Sequence, residues 1–521
     1  MGLPESSRYL PLLILDADSC VTGKSIGGYK TEAASKEDVL RALDTAAGRL
    51  RRQLGESLDS VERYQIPITQ ATTPSLDALR SFSEAGESFR RGDMKAAQVL
   101  LSRAIALDPH FASAYRAIGS TYYNLGDYNQ AADYYKKAFD LRDRTTERER
   151  LGIEVMYYGY GLNDYEESIR RTRQLLQIYP NVTNSWVSLS NLYTKLGEYS
   201  QAIDAAERAY GIDPQSSVAA VELAQWYLRA SRFSEAKKVA DTAQAQGKDH
   251  WDLHSILFQI AYVEHDAVKM KQEGEWGLTH QHANTSFYDL AFAAATGGRV
   301  REASDYFLRA RGEALRDGDK DFGEGVWLQM ARVQAVMGET AAAAESLKRI
   351  KGSQGDPSDP GEEAYLRGMT GDVAFAQRFV ESAGSGDNRN TVITGIYVPL
   401  VRALVDLKSH KADESVRDLE PARMYQLRDF TVPYLRAQAE NEGGSLDAAA
   451  ADYRLILDNR GVDPIVPEYS LAHLGLARVL ARQRKFDLAR SEYRAFLDAW
   501  RDADADLPQL QDAHREIAQL H

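Results

Sequence analysis

A single cysteine, Cys20, stands among 521 residues, so neither an intramolecular disulfide nor a cysteine-rich zinc site can form within one chain. Stability must come from packing. No stretch approaches the roughly 20 apolar residues of a membrane helix, and the run Leu10 to Leu15 is broken by Pro11 and lacks a basic segment before it. This composition predicts no membrane insertion and a cytoplasmic chain. The myristoylation-like start at Gly2 carries Pro4 and Glu5, which suit that signal poorly. Basic residues are the minority, 63 against 76 acidic ones, and the net charge of −13 repels a phosphate backbone. Nucleic acid is not an expected partner.

Catalytic signatures are missing as well. Gly23-Lys24-Ser25 ends like a phosphate-binding loop, but Asp18 stands where the wrapping glycine is required. His250 and His254 lie four apart, with His265, His280 and His282 following, yet Trp251 replaces the glutamate of a zinc-protease motif. Asp502, Asp504 and Asp506 alternate like a calcium loop, but Leu507 and Ala513 replace its glycine and its bidentate acid. Asp429-Phe430 is followed by Thr431 rather than glycine, and no Gly-x-Ser-x-Gly elbow occurs. The expectation is a protein that is not an enzyme, with no catalytic, cofactor-binding or metal residues and no cofactor.

What is present is repetition. Asn-Leu-Gly-Asp-Tyr-Asn-Gln-Ala at Asn124 to Ala131 returns as Lys-Leu-Gly-Glu-Tyr-Ser-Gln-Ala at Lys195 to Ala202. A chain this long exceeds one ordinary core, though 44% hydrophobic and 27% charged residues are usual for a folded protein. Stacked repeats resolve this, because their core grows lengthwise. The exit prolines Pro180 and Pro214 stand 34 residues apart, the period of tetratricopeptide repeats. Tyr115, Gly119, Tyr122, Ala131, Tyr135 and Ala138 fill every signature position of one repeat, and Trp186, Ser190, Tyr193, Ala202, Ala209 and Pro214 nearly fill another. The fold class expected is all-α: a tetratricopeptide-repeat α-solenoid, a superhelix of antiparallel helix pairs, with a small N-terminal α/β remnant.

The remnant spans 1–60, with strands at Tyr9 to Asp16 and Ile26 to Glu32 and a helix from Lys36 to Leu54 capped by Ser35. Such a unit is marginal alone. A linker follows at 61–77, then well-formed repeats at 78–247, degenerate helical repeats at 248–351, and further degenerate repeats with a capping helix at 352–521. Most tyrosines, including Tyr122-Tyr123, Tyr134-Tyr135 and Tyr157-Tyr158, fall where helices meet.

In such arrays the first helix of each pair lines a concave groove. By that register Arg116, Ser120, Tyr123 and Asn124 face inward in one repeat, Asn191 and Lys195 in another, and Gln225 and Arg229 in the next. A polar, partly basic lining on an acidic protein suits an acidic or C-terminal peptide. The carboxylate clamp of chaperone-binding repeats is not reproduced, since Val187 and Glu222 occupy its lysine and asparagine positions.

Several stretches resemble the C-terminal sensory region of acidobacterial eukaryote-like serine/threonine kinases. They are Ala33 to Leu40 with Leu54 to Ser57, Arg144 to Arg150, His254 with Asp266, Met270 and Trp276, and Leu471 to Arg478. The resemblance implies that Tyr9 to Gly55 is half of a small α/β domain, with the kinase and its membrane helix absent here. In that layout the array would be extracytoplasmic. The preferred reading is a non-catalytic scaffold that binds a protein or peptide ligand on the concave face; the alternative is a regulatory or sensory region of a kinase signalling system, separated from its kinase.

Overall fold

The computed structural model describes residues 12–18, 24–34, 38–54, 73–248, 250–280, 283–350, 359–384 and 388–520. The myristoylation-like start, Cys20, Gly23, Ser35, His282, most of the linker at 61–77 and most of the loop at 352–361 lie outside them. The chain divides into two compact units, Met1–Gly161 and Leu162–His521.

The first unit opens with strand β1 (Leu12–Asp18), antiparallel to β2 (Ser25–Glu32), with Leu13 opposite Thr31 and Leu15 opposite Tyr29. Alternate residues of β1 are half-buried and exposed, as a two-residue period requires. Helix α1 (Val39–Gln53) covers one face with Leu40, Ala46 and Leu50. The other face leaves Leu12, Ile14 and Ile26 exposed, so this sheet buries only half of its apolar surface.

Four helices follow as two antiparallel pairs: α2 (Leu76–Arg90), α3 (Met94–Leu107), α4 (Ala112–Asn124) and α5 (Tyr128–Asp140). Helix α6 (Glu147–Met156) starts on a Thr146–Glu149 capping box and ends in a π-helical turn, Tyr157–Gly161. The recurring Gly-Asp explains itself here. Gly92 and Gly126 turn the chain at φ of 79° and 83°, and the next residue, Asp93 or Asp127, accepts a hydrogen bond from the backbone of Ala96 or Gln130 to cap the second helix. Small residues set the pair distance: a Cβ on Gly119 would lie 2.8 Å from the Tyr135 ring, and Ala131 and Ala138 are fully buried.

The second unit begins with α7 (Tyr165–Ile178), the second helix of its pair. Nine pairs follow. They are α8 (Thr183–Thr194) with α9 (Tyr199–Ile212), α10 (Ser217–Arg229) with α11 (Phe233–Ala245), and α12 (Trp251–Glu264) with α13 (Ala267–Leu278). Then come α14 (Ala283–Thr296) with α15 (Val300–Arg316), α16 (Lys320–Val336) with α17 (Thr340–Leu347), and α18 (Asp359–Met369) with α19 (Val373–Ala383). A π-helical turn, Ile393–Tyr397, leads into α20 (Val398–Lys408), paired with α21 (Ala412–Leu419). The last pairs are α22 (Thr431–Gly443) with α23 (Leu446–Asp458) and α24 (Pro467–Arg482) with α25 (Phe486–Ala499), closed by α26 (Pro508–Ala518). Among the described residues no helix is long and apolar enough to cross a membrane.

In this unit distant repeats share one core. Phe292 and Phe307 belong to the same buried cluster as Ala472, Leu476 and Trp500, about 200 residues later in a chain whose repeats, as a linear stack, would touch only their neighbours. Polar contacts fasten the same junction. Trp500 Nε1 and Ser470 Oγ both donate to the Thr296 carbonyl, at 3.1 and 2.9 Å, and the Asp504 amide donates to the Gly298 carbonyl at 3.0 Å. Gly461 N donates to Ser231 Oγ at 3.0 Å, and Thr391 N to the Asn163 carbonyl at 3.0 Å. The unit folds back on itself.

That closure gives one signature glycine a second duty. Gly92 and Gly197 share the left-handed conformation, at φ of 79° and 78°, but a Cβ at Gly92 would meet nothing within 4 Å while one at Gly197 would lie 2.6 Å from Arg428 N. Gly92→Ala should cost only the left-handed penalty, about 1–2 kcal/mol. Gly197→Ala must also displace the 427–428 backbone, and chemical denaturation should show the larger loss. Equal losses would contradict the close approach.

Candidate functional site on the inner face of the first helices

In the first unit, spacings of four, three and one place Arg116, Ser120, Tyr123 and Asn124 along one side of α4. Arg116, Ser120 and Tyr123 are half-buried and Asn124 is exposed. Ser120 Oγ donates to the Arg116 carbonyl at 3.2 Å and accepts from Tyr135 Oη at 3.3 Å, which ties the first helix of the pair to the second. Tyr123 stands edge-on to both Tyr128 and Tyr160, with ring centres 4.9 Å away in each case. The Arg116 guanidinium makes no hydrogen bond or ion pair among the described residues. Burial pulls its pKa down, against the raising influence of Tyr135 and Glu149. Glu149 is already engaged: its Oε1 accepts from Ser113 Oγ at 2.8 Å and its Oε2 from Thr146 Oγ1 at 3.0 Å.

In the second unit the four inward residues meet different fates. Asn191 Nδ2 donates to Glu222 Oε1 at 3.2 Å, joining the first helices α8 and α10. Burial pushes the Glu222 carboxyl up to about 7, with Asn191 and the nearby Lys195 acting in the other direction. Gln225 is half-buried on α10. Arg229 donates to the Val462 carbonyl and lies 4.0 Å from Asp463, so the fold itself holds its charge. Thus Asn191, Lys195 and Glu222 gather at one point, while Arg229 joins the closing turn.

Further charges lie in repeats beyond those whose register was counted. Arg332 of α16 reaches Glu468 of α24 at 3.2 Å, and in the segment before α22 Arg428 pairs with Asp429 at 2.8 Å. They sit in repeats where the consensus has decayed. A charged residue among the alanines and leucines of a first helix, as in Ala331-Arg332-Val333, is the signal that could have marked them.

The histidines have structural contacts. His254 stacks on Trp276 at 3.6 Å and bonds Glu273 at 2.5 Å, and Trp276 stacks in turn on His280 at 4.1 Å. His250 accepts from the Asp252 amide at the start of α12, and His265 ends that helix at φ 58°. Asp266 caps α13 by accepting from Lys269 N at 3.0 Å. Asp504 and Asp506 both pair with Arg301.

Family models described as tetratricopeptide repeats match residues 112–145, 193–257, and 160–217, 400–464 and 462–504. Superkiller complex protein 3 of Homo sapiens is 26% identical over 190 residues, covering 36% of this chain and 12% of that protein. Anaphase-promoting complex subunit 3 of Schizosaccharomyces pombe is 24% identical over 160 residues, covering 31% and 24%. The matched stretches thus span less than a quarter of these relatives. Among solved structures, the type IV pilus biogenesis factor PilW aligns over 40% of this chain and 94% of its own at 18% identity and a TM-score of 0.33. The anaphase-promoting complex hetero-tetramer Cut9-Hcn1 aligns over 87% and 100% at 11% and 0.31. With the matched repeats, the paired helices and the Gly-Asp turns between them, the chain has the fold of a tetratricopeptide-repeat α-solenoid with a small two-stranded sheet.

Proposed function

We propose that the chain is a non-catalytic scaffold that binds an acidic or C-terminal peptide on the inner face of its first helices, with Arg116 as the carboxylate anchor. The observation that carries this reading is a half-buried guanidinium with no hydrogen bond or ion pair among the described residues, while the nearby Glu149 carboxylate is held by Ser113 and Thr146. Holding that charge away from water is costly, and a bidentate carboxylate is the group whose geometry best offsets the cost. Ser120 fixes the helix beneath it, Tyr123 offers a rigid aromatic edge, and exposed Asn124 can donate to and accept from a peptide backbone. On the first helices of the second unit, Asn191, Lys195 and Gln225 hold the corresponding positions, whereas Arg229 acts within the fold. A regulatory role beside a bacterial serine/threonine kinase rests on sequence resemblance alone, and an in-frame kinase and membrane helix encoded ahead of Met1 would support it.

An array of acidic peptides, each with a free or an amidated C-terminus, tests the anchor. Charge-assisted hydrogen bonds contribute about 1.5–3 kcal/mol, so Arg116→Ala should weaken the peptides bound by the wild type by about tenfold or more. Equal binding by the variant, with an unchanged circular dichroism spectrum, would remove Arg116 from the site.

A further inference from the structure

Where the inner faces of the second unit meet, they enclose a cavity of about 170 Å³. Its walls come from α16, α18, α22, the start of α24 and the π-helical turn before α20; its charged groups are Arg332, Glu362 and Glu468, and three tyrosines, Tyr365, Tyr397 and Tyr434, also line it. Glu468 is only 2% exposed; its Oε1 accepts from Arg332 at 3.2 Å, and its Oε2 has no partner. Glu362 Oε2 accepts weakly from Gln329 at 3.4 Å, and its Oε1 is buried with no partner. Two carboxylate oxygens from separate helices therefore lack hydrogen bonds around one space.

The charges point to the sign of an occupant. Arg332 is one cation facing two carboxylates, and the other acids that act on it are already matched, Asp429 with Arg428 at 2.8 Å and Asp463 with Arg229 at 4.0 Å. The cavity is left with one surplus negative charge. An unpaired buried carboxylate is among the costliest groups in a folded protein. Burial raises the Glu362 pKa, so the acid is driven toward its neutral form unless a cation joins it. The volume is close to the roughly 150 Å³ of a void that admits one benzene ring, so it suits about six to eight non-hydrogen atoms.

We propose that this cavity is a binding site for a small organic monocation, a primary ammonium compound whose N–H groups donate to Glu362 Oε1 and Glu468 Oε2. An ammonium offers three donors, so two orphan acceptors can be satisfied with one donor left for Gln438 or a tyrosine hydroxyl of the wall. The tyrosine side chains suit the alkyl part and add rings to which a cation is attracted. No residue of this cavity belongs to α4, so the assignment does not rest on the proposed peptide site.

Thermal-shift and calorimetric titrations of the full chain at pH 7.4 with n-butylamine and 4-aminobutanol, against n-butanol, butyrate and calcium chloride, test it. Both amines should raise the melting temperature and bind saturably. Glu468→Gln and Glu362→Gln should each weaken that binding at least tenfold. Because Glu468 also holds Arg332, Met369→Trp serves as a second variant: it fills the cavity from its wall, keeps every charge, and should abolish binding. No saturable amine binding up to about 10 mM, at which affinity is only about 2.7 kcal/mol, would overturn the assignment. So would equal binding of butanol, butyrate or calcium, or amine affinity unchanged in Glu362→Gln and Met369→Trp.

Discussion

Trp500→Ala should destabilise the second unit by about 3–5 kcal/mol, the range for truncating a fully buried aromatic side chain. Trp500 is 1% exposed, packs on Phe496 with ring centres 4.5 Å apart, and donates its indole N–H to the Thr296 carbonyl at 3.1 Å. It also fills the space that Gly298 leaves open, since a Cβ there would lie 2.8 Å from the indole. The loss therefore falls on two segments far apart in sequence. Amide hydrogen exchange should quicken both in α25 and α26 and around Thr296 to Arg301, because the turn after α14 loses its cover. Trp500→Phe should be milder, since Ser470 Oγ still donates to the Thr296 carbonyl at 2.9 Å. Faster exchange confined to residues beyond Phe486 would mean that the repeats touch only their neighbours.

The helix pairs were legible in the sequence because the turn between them has strict backbone needs. Leu-Gly-Asp/Glu-Tyr announces a left-handed residue followed by the start of the second helix, and Gly92, Gly126, Gly197, Gly298, Gly338 and Gly371 all take positive φ. The same turn persists where glycine is gone: Asn163, Ser231, His265, His410 and Arg484 adopt it at φ near 60°. Packing of the flanking helices imposes the conformation there, which is why the consensus fades while the architecture continues. Helix α1 begins at Val39; Lys36, where the sequence starts it, lies outside the described residues.

The candidate site was legible only as a register. Counting along the first helices placed Arg116, Asn191 and Arg229 on one kind of face, but periodicity carries no information on which charges the chain itself will match. Arg229 finds Val462 and Asp463 from 233 and 234 residues later, a pairing that only the folding back of the second unit creates. Arg332 and Glu468 meet for the same reason. The residues on which the resemblance to kinase sensor regions rests have a local use. His254 and Trp276 stack, Asp266 caps α13, and Thr146 with Glu149 forms a capping box, so these residues serve the repeat fold itself.

Arg436→Ala should cost about 3–5 kcal/mol at pH 8, because it leaves a buried charge without its partner. Arg436 is 4% exposed and grips Asp452 through two hydrogen bonds, Nε to Oδ2 at 2.5 Å and Nη2 to Oδ1 at 2.6 Å, with a third from Nη2 to Gln426 at 2.8 Å. Glu440 lies beside the pair, and burial together with Asp452 pushes its carboxyl up to about 7. A carboxyl whose folded pKa is raised contributes stability that is fully present below its unfolded value and is lost as pH rises through about 7. At pH 8, then, the variant must hold two carboxylates together without the arginine; at pH 6 Glu440 takes up a proton and the repulsion falls. Urea midpoints should show a smaller loss at pH 6 than at pH 8. Combining Arg436→Met with Asp452→Leu removes both charges and should recover most of the stability, as when a buried ion pair is exchanged for apolar side chains of similar size. A double variant as unstable as the single one, with equal losses at both pH values, would show that Arg436 acts by filling space and not by matching the charge of Asp452.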